Sequence, residues 1–213
     1  MRWTLRSRLV EARLAAQPGV RSIRRPITPD GTAHFDLHYV RTGPPSAVPV
    51  LVIPGGPGVA SIQTYRTTRR HAADLGLDIV MMEHRGVGMS RHDDDGNDLP
   101  AAAITIEQVV DDLNAVLDDI GAERAIVYGS SYGTYLAAGL GVRHPARIAA
   151  MVLDSPVLSA RDIDEIRSAV RGLLLDGERP EIAEKVHRLV EGGVFDSLSG
   201  EVAATAYSVG GLP

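Results

Sequence analysis

Apolar residues fall along this chain in two rhythms. Short runs, unbroken or alternating, at 22–27, 34–41, 50–53, 78–82, 125–128 and 149–153 predict six β-strands. Val50-Leu51-Val52-Ile53 and Ala125-Ile126-Val127-Tyr128 carry no polar alternation, the pattern of strands covered on both faces. The second rhythm is helical. Ile106, Val109, Val110, Leu113, Val116, Leu117 and Ile120 recur at spacings of three and four and predict an amphipathic helix over 105–120. Thr105 with Gln108 fits a capping box at its start, and Gly121 fits a stop. A strand, this helix and the strand at 125–128 form a βαβ unit, whose right-handed crossover makes the strands parallel. The predicted class is α/β, with an open, doubly wound, mostly parallel sheet.

Past Asp154 two helical stretches follow, one through Ile163, Ile166, Val170 and Leu173, the other through Ile182, Val186, Leu189 and Val190. At the other end, Arg2, Arg6, Arg8 and Arg13 alternate with Trp3, Leu5, Leu9, Val10 and Leu14. This stretch lacks the continuous apolar core of a secretory signal and reads as a helical extension packed on the domain. The expected organisation is an extension over 1–19, an α/β core over 20–158 and a helical segment over 159–213.

Chemistry enters at Gly129-Ser130-Ser131-Tyr132-Gly133, which stands between the strand at 125–128 and a helix-like run starting at Tyr135. With 22 glycines in 213 residues, a bare Gly-x-Ser-x-Gly arises by chance on the order of 0.1 times. The strand before and helix after are the setting of a nucleophile elbow, where small flanking residues permit a turn tight enough to raise the serine hydroxyl above the sheet. Ser131 is the predicted nucleophile. A second glycine-rich turn, Pro54-Gly55-Gly56-Pro57-Gly58, closes the strand at 50–53. In this architecture the loop after the third strand and the residue after the nucleophile each give one N–H to an oxyanion hole, so Gly56 and Tyr132 are the candidate donors.

Three blocks in order, Ile53-Pro54-Gly55-Gly56-Pro57-Gly58, Glu83-His84-Arg85-Gly86-Val87-Gly88-Met89-Ser90 and Tyr128 to Leu136, resemble the α/β-hydrolase serine peptidases that include proline iminopeptidase and the tripeptidyl aminopeptidases. A softer match runs from His144-Pro145-Ala146-Arg147-Ile148 to Pro156. Pro54 stands where iminopeptidases usually carry histidine and looks more like the tripeptidyl aminopeptidase branch, while Glu83-His84 replaces a common Asp-Gln. The resemblance implies an aminopeptidase acting on short peptides through an acyl-enzyme on Ser131. It implies an eight-stranded core truncated here after the sixth strand and the start of a helical lid, with the triad acid and histidine in the missing part. A carboxylesterase would use the same serine and hole, and a chain without the triad partners would be a catalytically silent fragment or binding module.

The histidines present do not supply a base by pattern. His144 closes the helix after the elbow, at the end opposite Ser131, and His187 falls within the second helical stretch past Asp154. His34 and His38 share a strand face without further ligands, and His71 and His84 stand alone. The acidic run Asp93-Asp94-Asp95-Gly96-Asn97-Asp98 puts Asp98 where a calcium loop needs glycine and Ile104 where it needs the closing Glu, so it reads as a solvated loop. A net charge of −5 argues against a nucleic-acid partner. No run reaches the about 18 apolar residues of a membrane span. The absence of cysteine removes disulfide, thiol and cysteine-ligated metal chemistry. No metal or cofactor is expected; the expected partner is a small peptide or ester, and the expected compartment the cytoplasm.

Overall fold

A computed structural model describes residues 5–56, 58–174 and 179–193. The first residues of the expected N-terminal extension, and residues 194–213 of the segment expected from 159, lie outside the described residues. The chain divides into two compact units, Met1–Leu158 and Ser159–Pro213.

In the first unit, helix α1 (Leu5–Ala15) precedes a six-stranded sheet of β1 (Val20–Pro26), β2 (His34–Thr42), β3 (Val50–Ile53), β4 (Ile79–Met82), β5 (Ala125–Ser130) and β6 (Ile148–Asp154). The spatial order is β1-β2-β4-β3-β5-β6. The pairs β1/β2 and β2/β4 are antiparallel; β4/β3, β3/β5 and β5/β6 are parallel. The sheet is therefore mixed, with its parallel part where the βαβ pattern places it. The short helices α2 (Ser61–Thr64) and α3 (Arg66–Asp74) follow β3, while α4 (Ile106–Asp119) leads into β5 and α5 (Tyr132–Arg143) leads out of it.

Alternation along the strands builds two cores. Leu51, Ile53, Val80, Met82 and Val127 pack with Val109, Leu113 and Val116 of α4 and with Leu136 and Leu140 of α5. The intervening Val50, Val52, Ile79 and Met81 pack with Ile62, Tyr65 and Ala72 on the α2 and α3 side. The connection after β3 thus leaves by one face of the sheet and that after β5 by the other. Between these neighbouring strands the winding reverses, and the reversal opens a crevice at their C-terminal ends.

Helix α4 starts as its pattern predicts, with the Thr105 hydroxyl accepting from the Gln108 N–H at 3.3 Å. The other half of the capping box is diverted, because Gln108 Oε1 accepts from the Arg85 guanidinium. Arg85 is fully buried. Its Nε and Nη2 donate to Asp112 at 2.7 and 2.9 Å, and its Nη1 donates to the carbonyls of Ile27 and Ala103. Asp112 also accepts from Arg25, and the Phe35 ring lies 5.1 Å below the Arg85 guanidinium. The second unit contains α6 (Ala160–Leu174) and α7 (Pro180–Glu191), the latter opening on Pro180, whose fixed φ suits a first helical position.

Candidate active site

Strand β5 ends at Ser130 and α5 begins at Tyr132, so a single residue makes the turn. That residue, Ser131, has φ 50° and ψ −120°, a conformation costly for a side chain beyond glycine. Neighbours hold it there. The Ser131 N–H donates to the Asp154 carbonyl at 2.9 Å, and the Ser131 carbonyl accepts from the Thr134 N–H at 2.9 Å, with the buried Thr134 hydroxyl 2.5 Å away. The flanking glycines make room. A Cβ on Gly133 would stand 2.0 Å from the Ile53 carbonyl oxygen, and one on Gly129 2.6 Å from that of Gly133.

The turn after β3 reaches the same place. A Cβ on Gly55 would lie 2.9 Å from Ser131 Cβ and 3.6 Å from its Oγ, so the glycine lets the β3 loop lie against the serine. Gly56 has φ 67°, which reverses the chain beside it. Pro57 lies outside the described residues. Gly56 and Tyr132 line one small cavity, and the Tyr132 N–H, in the first turn of α5, has no carbonyl within the helix to bond. The two candidate donors thus share one cavity, Gly56 from the turn after β3 and Tyr132 from the first turn of α5 next to Ser131.

Two further neighbours are Glu83 and His84, which the sequence marked as a departure from the family's block, with His84 standing alone and no role assigned to either. His84 follows β4 and lines the same cavity, its ring 6.2 Å from that of Tyr132. Burial holds its pKa below the usual imidazole value, although its bond to the Arg85 carbonyl and the Asp112 charge work the other way. Glu83 is buried, and its carboxylate accepts from the Met89 N–H at 2.6 Å and the Ile62 N–H at 3.3 Å. Burial raises its pKa against these bonds. Glu83 thereby ties the β4 loop to the start of α2, while Arg85 ties it to α4. Asp154, at the end of β6, accepts from the Tyr128 hydroxyl at 2.7 Å and from Ser155 at 3.2 Å.

Three of the remaining histidines are engaged elsewhere. His144 caps α5 at its far end and bonds Asp111 at 3.0 Å, while His34 and His38 bond the carbonyls of Thr32 and Asp36. His187 is exposed on α7. Among the described residues no hydrogen bond joins Ser131 Oγ to a histidine. The acidic loop is stitched by ordinary contacts: Asp93 accepts from the Asp95 and Asn97 N–H groups, and Asp94 forms a two-pronged pair with Arg24. Among the described residues no helix is long and apolar enough to cross a membrane.

Residues 48–192 match the family model described as the alpha/beta hydrolase fold. A probable proline iminopeptidase of Leptolyngbya boryana is 27% identical over 125 residues, 57% of this chain and 36% of its own length. Epoxide hydrolase A of Mycobacterium tuberculosis is 32% identical over 125 residues, with the same shares of each chain. The solved structure of a proline iminopeptidase from Mycobacterium smegmatis is similar with a TM-score of 0.64 at 24% identity, covering 91% of this chain and 64% of that one. The chain spans 36% of the length of these two curated relatives.

Proposed function

We propose, because this chain belongs to the α/β-hydrolase fold family, that it is the nucleophile-bearing part of a serine hydrolase of the aminopeptidase type. The observation that carries this reading is the conformation of Ser131, turned between β5 and α5 with the glycine loop of β3 against its side chain. In this reading Ser131 Oγ attacks the scissile carbonyl of a short peptide. The Gly56 and Tyr132 amides receive the oxyanion, the amine leaves, and water releases the acyl group. The general base in this reading is a histidine, and among the described residues none is hydrogen-bonded to Ser131 Oγ. The proline iminopeptidase relatives support a substrate with a free amino terminus. The epoxide hydrolase relative and the shared chemistry of ester and amide acyl transfer define the competing outcomes.

The test uses the protein expressed from its full coding sequence. A fluorophosphonate probe labels Ser131, and Ser131→Ala removes the label without changing the circular dichroism. Aminoacyl arylamides with a free amine are turned over, and acetylating the amine lowers kcat/KM by at least ~10-fold, about 1.4 kcal/mol. Labelling elsewhere overturns the nucleophile; equal rates on free and acetylated substrates favour the esterase.

A further inference from the structure

Thr134 stands in the first turn of α5 and is fully buried, yet its hydroxyl reaches beyond its own helix. Its Oγ1 lies 2.5 Å from the Ser131 carbonyl oxygen and 3.2 Å from that of Val157. The Val157 N–H, in the chain past β6, donates to the same Oγ1 at 2.8 Å. A threonine hydroxyl has one proton, and the shorter of the two distances assigns it to Ser131. The hydroxyl therefore takes a hydrogen bond from Val157 and gives one to the nucleophile's own carbonyl.

A helical threonine commonly bonds the carbonyl three residues back as a purely local contact. Two things set this bond apart. Its acceptor belongs to Ser131, at φ 50° and ψ −120°, so it acts on the strained turn itself. The peptide unit it grips also carries the Tyr132 N–H. A peptide is planar and trans, so its C=O and N–H share one plane and point in opposite directions. Whatever aims the Ser131 carbonyl also aims the Tyr132 N–H, the candidate oxyanion donor, which has no carbonyl partner within its helix. A hydrogen bond given to the carbonyl further polarises the amide, and its N–H becomes the stronger donor.

We propose that Thr134 is a positioning residue, whose hydroxyl aims and polarises the Ser131–Tyr132 peptide so that the Tyr132 N–H meets the oxyanion. This rests on the serine hydrolase reading of Ser131 and Tyr132, and applies to a peptide and to an ester alike. The Thr134 backbone N–H also bonds the Ser131 carbonyl, at 2.9 Å, so the helix start survives loss of the hydroxyl and what is lost is aim. Because the negative charge on the oxyanion develops only after binding, the loss falls on the chemical step.

The test is the saturation kinetics of fluorophosphonate labelling in the protein expressed from its full coding sequence, since phosphonylation of Ser131 places an oxygen in the hole whatever the natural substrate. Thr134→Val, which keeps the shape without the hydroxyl, lowers the maximal labelling rate about 10-fold and leaves the half-saturating concentration within about twofold. Thr134→Ser restores the rate to within about threefold. Because the Val variant can fail to fold, Thr134→Ala against Thr134→Ser repeats the comparison in a smaller residue, with Ala slow and Ser fast. A rate that follows side-chain volume instead of the hydroxyl, or a loss confined to the half-saturating concentration, overturns the proposal. The unaltered protein separates the two claims: labelling of Ser131 with equal rates in all variants leaves the hydrolase standing without this role, and no labelling of the unaltered protein removes the hydrolase reading and this role with it.

Discussion

Ser131 and Ser155 are the two non-glycine residues with positive φ among those described, at 50° and 52°, and they follow the ends of adjacent strands. Strain of this kind persists where the surroundings impose it and gathers at functional sites. Ser155 is the better probe of its cost because the nucleophile role does not involve it. Ser155→Val, a β-branched residue forced to φ 52°, is expected to lower stability by about 1–3 kcal/mol, whereas Ser155→Gly costs far less, as read from urea denaturation. His84 offers a second residue-scale measurement. Its pKa is depressed from 6.5 by burial, so the unfolded chain takes a proton that the folded chain refuses. Stability is full above about pH 6.5 and falls as pH drops below it, by up to about 1.4 kcal/mol per pH unit for one proton. His84→Gln should flatten that fall in denaturation midpoints taken between pH 5 and 7.5, with His38, also depressed by burial, leaving a residual slope. A slope unchanged by the substitution counts against the burial assignment. The turn at Ser131 was legible because its small flanking residues encode local backbone shape. His84 was not, since what distinguishes it is a contact with Tyr132, delivered by another element.

Among the elements, α4 shows both the reach and the limit of pattern. Its apolar stripe, its Thr105 cap and its Gly121 stop all sit where spacing predicts them. The destination of Gln108 is different. Its side chain answers Arg85 rather than the backbone of the helix start, because a buried guanidinium has five donors to satisfy and Gln108 lies within reach. Nothing in the helical period announces a cation from the β4 loop. Arg85 joins that loop, the end of β1 and α4 through one side chain, and its removal strands the Asp112 carboxylate in the core, with the partly buried Arg25 as its remaining cation. Arg85→Met is therefore expected to cost about 3–5 kcal/mol by chemical denaturation. A loss below about 1 kcal/mol would show that water replaces the guanidinium.

Across the molecule, α/β class and parallel pairing were readable, and strand order was not. Apolar runs say that a strand is covered on both faces without saying which strand lies beside it. The order emerges only from packing, which inserts β3 between β4 and β5. It leaves β6 at one margin, with no strand on its outer side among the described residues and with Val152 49% exposed. Such an edge templates association. Chain 1–213 is expected to self-associate through this open apolar edge, and Val152→Lys to reduce the associated fraction in sedimentation velocity; equal profiles would place the contact elsewhere. The insertion of β3 also orders events in time. The loop that carries Gly55 and Gly56 leaves the ribosome well before its partner strand, since Ile53 pairs with Gly129. At about 5–20 residues per second, about 4–15 s separate the two. Through that interval Val50–Ile53 can pair with β4 but lacks its second neighbour, so the seam beside the candidate site is the last in the sheet's centre to close during synthesis.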